Sequence, residues 1–330
     1  MNDAIQTLPA LSPMLPTLSS IIPAGAEWRY ELKFDGYRAI LYCSNDGVQI
    51  VSRNGHLYNS LFPEIVEAFL RLSPHLQEQL PLILDGELCI LASPVKADFS
   101  LIQHRGRLRS PEKIARAASD KPATFICFDL LYLKGKDLRR ESYLDRKRRL
   151  EHLLDSLAQP QSRSRVPFPS ISWAKPYDHP DALWETVIAN DAEGIVAKRV
   201  SSVWQSGKRT TDWLKIKNYK VATCFITGYD KQNGYFHVGV LRDREVYPVG
   251  LFSHGLREAE RRALVEIIKN NKTEESGSMV KMEPSLCVDI KFLEVYKQQL
   301  REPRFTGFRT DVYWEDCTWS KLINSDRRST

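Results

Sequence analysis

Long apolar runs are missing from this chain, and so is any pair of cysteines close enough in sequence to share a metal ion. Without about 20 consecutive apolar residues no helix can span a bilayer, so no membrane association is expected. The six cysteines, Cys43, Cys89, Cys127, Cys224, Cys287 and Cys317, include no CxxC spacing. That argues against zinc or dithiol redox chemistry and leaves reduced packing residues. The opening MNDAIQTLPALSPMLPTLSS lacks the basic start and continuous apolar core of a secretion signal, so an intracellular, cytoplasmic protein is expected. Internal repeats and low-complexity tracts are absent too.

What is present describes a folded, water-soluble protein: 42% hydrophobic and 27% charged residues in 330 positions, enough chain for two domains. The net charge of +6 is mild but unevenly placed. Lys198, Arg199, Lys208, Arg209, Lys215, Lys217 and Lys220 face a single acid, Asp212, so this segment alone matches the excess of the whole chain. A second basic stretch, KGKDLRRESYLDRKRRL, runs from Lys134 to Leu150. Such runs are ordinarily solvated helix faces; two of them in a chain of mild charge point to a polyanionic partner, nucleic acid.

After a Pro-rich lead, YRAILYCS and VQIVSRN flank Asn45-Asp46-Gly47, a hairpin signal. FPEIVEAFLRL, SYLDRKRRLEHLLDSL and HPDALWETVIAN have helical periodicity, whereas LPLILDGELCIL, TFICFDLLYL, EGIVAKRV and DWLKIKNY read as strands. AQPQSRSRVPFPS reads as a loop. Beyond Lys220 the grammar changes. CFITGYD, YFHVGVLRD and REVYPVGLFS are short alternating strands, followed by the helix LREAERRALVEIIKNN, the polar stretch KTEESGS and the strand LCVDIKFLEVY. This order suits a small five-stranded barrel of the OB type. The expected division is residues 1–220 and 221–330, and the expected class is α+β, mixed antiparallel sheets with helices followed by an OB-fold β-barrel.

In YELKFDGYRAIL a strand's period of two puts Trp28, Tyr30, Leu32 and Phe34 on one face and Arg29, Glu31, Lys33 and Asp35 on the other. Taken alone, the charged face is a solvated sheet surface. Four later segments change that reading: SRNG at 52–55, LDGEL at 84–88, EGIVAKR at 193–199 and WLKIK at 213–217. With KFDGYR, FICFDLLYLKG and LREPRFTGFRTD, they resemble, in order, the nucleotidyltransferase motifs of ATP-dependent DNA ligases. Within that family the resemblance is greatest to the ligase module of bacterial end-joining ligases, the ligase D type, which here would stand alone.

The resemblance implies that the amine of Lys33 attacks the α-phosphate of ATP and forms a lysyl-AMP phosphoramidate. AMP would then pass to the 5′-phosphate of a nick and be displaced by the 3′-hydroxyl, in end joining or other DNA repair. An ordinary lysine of pKa about 10.4 is neutral roughly once in 2,500 molecules at pH 7, so Lys33 has to be made less basic. Desolvation and the neighbouring cations Lys215 and Lys217 would do so. Glu31 and Asp35 pull the other way, a tension relieved if Asp35 binds Mg²⁺ or Mn²⁺. By the same resemblance Glu193 is the second metal carboxylate. Lys198 and Lys217 hold the α-phosphate with Lys215 beside it. Arg38 and Arg53 contact the AMP or the nick's 5′-phosphate, Glu87 accepts from a ribose hydroxyl, Phe128 stacks on adenine, and Glu31 and Arg309 complete the nucleotide site. Each residue alone has a plainer reading: Phe128 as core, Glu87 and Arg53 as turn residues, the WLKIK lysines as a solvent-facing edge.

The family's last motif ends in Arg-x-Asp-Lys, whereas Val312 follows Asp311 here, leaving Arg309 to orient the pyrophosphate. The implied partners are nicked duplex DNA, Ku and a repair polymerase, with the chain monomeric and nucleoid-associated in a bacterial cytoplasm. An RNA ligase or a capping-type nucleotidyltransferase would use the same covalent lysine and is the alternative. An NAD-dependent ligase would need a nicotinamide-recognising domain ahead of the core and a cysteine zinc site. A third reading is a basic nucleic-acid-binding module with vestigial motifs.

Overall fold

The computed structural model describes residues 8–157 and 170–327. The chain divides after Lys217 into two compact units, Met1–Lys217 and Asn218–Thr330, where the change of strand grammar placed the division after Lys220. The loop expected at AQPQSRSRVPFPS lies, but for Ser170, outside the described residues.

Two antiparallel-rich sheets build the first unit. One has the order Leu15–Leu18, Arg209–Lys217, Gly194–Arg199, Trp28–Leu32; the other runs Ile171–Trp173, Thr124–Leu133, Leu82–Cys89, Tyr37–Ser44, Gly47–Ser52. The two-residue connection at Asn45-Asp46 makes the expected hairpin, with Ser44 opposite Gly47 at φ 130°. Alternation decides what each sheet buries. In the second sheet Leu41, Cys43, Leu82, Leu84 and Leu88 pack against Ile65 and Phe69 of the helix Pro63–Leu76. The residues between them, Ile40, Tyr42 and Ile83, turn the other way and meet Trp204 and Trp213. That cluster joins the two sheets, and the polar members of the same rows are left to line a pocket.

In the second unit the strand Lys220–Asp230 is the hub. Its Lys220–Phe225 half pairs with Cys287–Phe292, its Gly228–Asp230 end with Met279–Met282, and its other edge with Phe236–Arg242, which continues to Glu245–Phe252. The helix Glu258–Asn270 adds Leu264 and Ile268 to a core of Phe236, Val238, Val249 and Ile290. These strands with their helix form the expected OB-type domain, although among the described residues the strand path does not close into a full barrel. Glu245–Phe252 ends before it reaches Arg304–Arg309, and one isolated bridge, His254 to Arg304, spans the gap. The polar stretch KTEESGS holds the exposed strand Lys272–Ser276, whose lysine and glutamates protect an open sheet edge. All six cysteines are free and buried.

Candidate active site

The strand Trp28–Leu32 has the two faces its alternation implies. Trp28 and Tyr30 are buried among Leu183, Val187, Ile195, Ala197 and Ile216, and Glu31 faces the opposite side. Neighbouring strands extend that side in rows: Glu31 opposite Val196 and Val196 opposite Lys215, then Arg29 opposite Lys198 and Lys198 opposite Trp213. The ladder stops at Leu32, so Phe34 leaves the strand's apolar face and packs with Cys89, Ile126 and Ala174 instead. Lys33 is tied at the sheet end by its backbone N–H, which donates to the carbonyl of Gly194 at 2.9 Å. Two glycines allow this crossing. A Cβ on Gly36 would sit 2.1 Å from the carbonyl oxygen of Leu88, and one on Gly194, at φ +146°, 2.1 Å from that of Ile216.

Glu31, Lys33, Arg38, Glu87, Phe128 and Lys198 line one pocket of about 470 Å³, open solvent included, with Phe34 and Trp213 as apolar walls. Five motifs remote in sequence therefore converge, and the pocket has two chemically different ends. At one end Lys33 Nζ lies 2.8 Å from Glu193 Oε2, and Lys217 Nζ 3.2 Å from Glu193 Oε1, with Glu193 and Lys217 both buried. At the other, Glu31 is buried beneath two ammonium groups, Lys147 and Lys198, each at 2.7 Å, and accepts from the hydroxyl of Tyr143. Lys198 Nζ also reaches the carbonyl of Phe128 at 3.3 Å and lies 4.3 Å from the Trp213 ring centre and 4.7 Å from that of Phe128.

Arg38 grips Asp85 through two hydrogen bonds, Nε at 2.6 Å and Nη2 at 2.7 Å, and its guanidinium stands 4.3 Å from the Phe128 ring centre. Trp204 donates its indole N–H to the same Asp85 at 2.9 Å. Phe128 is thus a pocket wall with an arginine against one face rather than an inert core residue.

The electrostatics differ from the sequence expectation at one point. Burial works to lower the pKa of Lys33, but Glu193, Glu87 and Asp35 outweigh it, so Lys33 is held above the ordinary lysine value. Without bound ligands the nucleophile candidate is stored as an ammonium ion. It is Lys198 that is made less basic, to about 8, by burial and by Lys147 against the pull of Glu31. Burial, with Glu193 and Asp35, raises Glu87 to about 8 against the pull of Lys33 and Arg38. With Glu87 mostly protonated below about pH 8, Asp35 and Glu193 are the carboxylates that act on Lys33, and oxygen donors of this kind suit Mg²⁺ or Mn²⁺. No group of three His, Cys, Asp or Glu forms a metal cage among the described residues. A cation held by Asp35 and Glu193 alone fits the Mg²⁺ habit of taking one or two protein carboxylates and completing its shell with water and phosphate oxygens.

Six expected residues do not line this pocket; of these, Glu193 and Lys217 reach it through the ion pairs around Lys33, and Asp35 acts on Lys33 and Glu87 through its charge. Arg53 is exposed in the turn after Gly47–Ser52. Lys215 shares a row with Val196 and Glu31 but does not line the cavity. Arg309 lies in the second unit, where it pairs with Asp289 at 3.1 Å and Asp311 at 2.8 Å. Val312, in the place of the usual lysine, packs with Phe225, Cys287 and Cys317. Residues not foreseen are Tyr143, Lys147, Asp85 and Trp204. The helix Tyr143–Leu157 has the look of a solvated basic face, yet Lys147 is buried on Glu31 and Arg146 is buried on Asp129 at 2.8 Å. The one signal available was the buried strand acids Asp85 and Asp129, each of which needs a cation.

Comparison with known proteins agrees with these motifs. Residues 9–217 match the model of the ATP dependent DNA ligase domain, and residues 230–312 that of the ATP dependent DNA ligase C terminal region. The chain is 42% identical over 314 residues to the bifunctional non-homologous end joining protein LigD of Bacillus subtilis, covering 95% of this chain and 51% of that protein. The multifunctional non-homologous end joining protein LigD of Mycolicibacterium smegmatis is 28% identical, with 93% of this chain and 39% of that protein covered. The chain thus spans about half or less of the length of these relatives. The ligase domain of LigD from M. tuberculosis superposes with a TM-score of 0.54 at 25% identity, over 93% of this chain and 98% of that one. On the matched motifs, the two family models and the shared fold, this chain belongs to the ATP-dependent DNA ligase family.

Proposed function

We propose that this chain seals 3′-hydroxyl/5′-phosphate nicks in duplex DNA with ATP, through a covalent AMP on Lys33. The observation that carries the reading is the placement of Lys33 Nζ, 2.8 Å from Glu193 and at the acid and lysine end of a pocket whose other end is aromatic and closed by Glu31. A purine fits against Phe128 and Trp213 with Glu31 at its edge, which directs the triphosphate toward Lys33 and Lys217.

Each residue then has a task. Lys33 Nζ, once deprotonated, attacks the α-phosphorus; the N–P bond forms as the bond to pyrophosphate breaks, and the leaving group keeps the electron pair. Glu193 Oε2 is the nearest acceptor for the proton that Lys33 must give up. Lys217 supplies positive charge to the phosphate oxygens. Glu87, kept mostly protonated below about pH 8, donates to or accepts from a ribose hydroxyl. Arg38, released from Asp85, offers a two-pronged contact to a phosphate. Asp35 and Glu193 would hold Mg²⁺ or Mn²⁺, and such a cation would supply the positive charge that opposes protonation of Lys33. The reading places the chain in bacterial end-joining repair, with Ku and a repair polymerase as partners.

The test is to mix the protein with α-labelled ATP and a divalent cation, look for label on the polypeptide, and then add nicked duplexes differing only in the 3′ sugar. The expected result is AMP on the parent, none on Lys33→Ala, none in chelator, and transfer to the nick. Label from GTP in place of ATP, or label on Lys33→Ala, would overturn the reading.

A further inference from the structure

The helix Tyr143–Leu157 does not line the nucleotide pocket, yet it is bonded to two of the pocket's walls. Lys147 Nζ pairs with Glu31 Oε1 at 2.7 Å and donates to the backbone carbonyl of Phe128 at 3.2 Å. Lys198, from the strand Gly194–Arg199, repeats the bridge on the other oxygen, 2.7 Å to Glu31 Oε2 and 3.3 Å to the same carbonyl. Two ammonium groups therefore cross-link the carboxylate at the closed end of the pocket to the residue whose ring forms its wall. Tyr143, one helical turn before Lys147, also donates its hydroxyl to Glu31 Oε1. All four side chains belong to residues at most 2% exposed, so water does not compete for these bonds.

The acceptor positions of Glu31 determine what it can offer a ligand. A carboxylate has about four of them. Two ammonium groups and a phenol fill three, two on Oε1 and one on Oε2, and the position left over is on Oε2 of a residue that lines the pocket. Burial favours the protonated form of Glu31, but Lys147 and Lys198 outweigh it and hold the group below the usual glutamate value. The base therefore meets an acceptor with no proton to give. The 6-amino group of adenine donates to it. The 6-oxo group of guanine or hypoxanthine, itself an acceptor, meets like charge in a dry contact. Without Lys147, Oε1 would keep only Tyr143, and the Phe128 carbonyl would lose one of its two tethers.

We infer that Lys147 is a positioning residue for base selection: by fixing Glu31 against Phe128 from behind the pocket, it sets the choice of a 6-aminopurine over a 6-oxopurine nucleotide. The inference rests on the lysyl-AMP reading above, and its test separates the two.

Labelling of Lys33 is measured with the 330-residue chain and Mg²⁺ over a concentration series of α-labelled ATP and of α-labelled inosine triphosphate, which carries an oxo group in place of the 6-amino group. Labelling efficiency is the maximal rate divided by the half-saturating concentration. In Lys147→Met the ratio of the efficiency with ATP to that with inosine triphosphate should fall on the order of tenfold. The loss should lie in the half-saturating concentration of ATP rather than in the maximal rate, because the reacting end at Lys33 and Lys217 is untouched. A lysine needed only for folding would lower labelling by both nucleotides together and leave the ratio at the parental value. Tyr143→Phe, which removes one donor and keeps the ring, should move the ratio the same way by a smaller factor, and it decides the question if Lys147→Met does not fold. A parental ratio in the variants that fold, or a parent that takes both nucleotides equally, would overturn the base-selection role and leave the lysyl-AMP reading standing. A parent that takes no label from ATP would overturn both.

Discussion

At the residue scale, the buried group of Glu31, Lys147, Lys198 and Tyr143 is the least expected part of the site. Glu31 neutralises two ammonium groups that have almost no access to water, so the three charges are unequal in consequence. Glu31→Gln leaves two buried cations without their counter-charge and is expected to cost about 3–5 kcal/mol. Lys147→Met leaves Glu31 paired with Lys198 and should cost clearly less. Denaturant midpoints of the two variants check the order, and equal losses would show that the group does not act as an electrostatic unit. Lys33, Glu193 and Lys217 were legible in the sequence because their motifs carry them in fixed spacing. Lys147 was not, because periodicity shows that a helix has a polar face but not that a lysine on it reaches a carboxylate on a distant strand.

At the element scale, the alternation of WRYEL was enough to assign Trp28 and Tyr30 to a core and Glu31 to the opposite face, and only the later motifs distinguished that face from a solvated one. It could not show where the strand ends. The ladder stops at Leu32, and the next residue depends on Gly194 for its backbone hydrogen bond. Gly194→Ala would bring a methyl into the carbonyl of Ile216 at a φ that side chains rarely adopt. It should lower the thermal midpoint and, by shifting Lys33 by a fraction of an ångström to an ångström, reduce AMP labelling by about 10²-fold. Normal labelling kinetics in that variant would show that Lys33 does not take its position from this strand. The helices Phe99–Gly106 and Pro111–Asp120 were not read from the sequence, although their starts are marked. Asp98 and Ser110 each accept a backbone N–H of the first turn, from Leu101 and Lys113. Both helices are short and bury few residues, Ile102 and Arg105 in the first and Ile114 in the second, so each offers only one or two turns of apolar pattern to read.

At the scale of the whole molecule, each unit has its own core. The second gathers Phe236, Val238, Phe252, Ile290 and Phe305 with Leu264 and Ile268, without drawing on the first. A fragment of residues 218–330 is expected to unfold cooperatively on heating, as followed by circular dichroism; a featureless melt would show that its core needs the other unit. The strand order of this unit was readable as alternating segments, but its incomplete closure was not, since closure depends on where a strand stops relative to a partner about 50 residues away in sequence. The six buried thiols have a practical consequence. Burial pushes Cys43 up to about 11 and Cys127 and Cys224 up to about 12, far from the thiolate form that alkylating dyes require. The native thiols are therefore expected to react slowly with maleimides, and a cysteine placed at an exposed serine such as Ser201, with a second in the C-terminal unit, would take a fluorophore pair able to report on the chain during catalysis in real time.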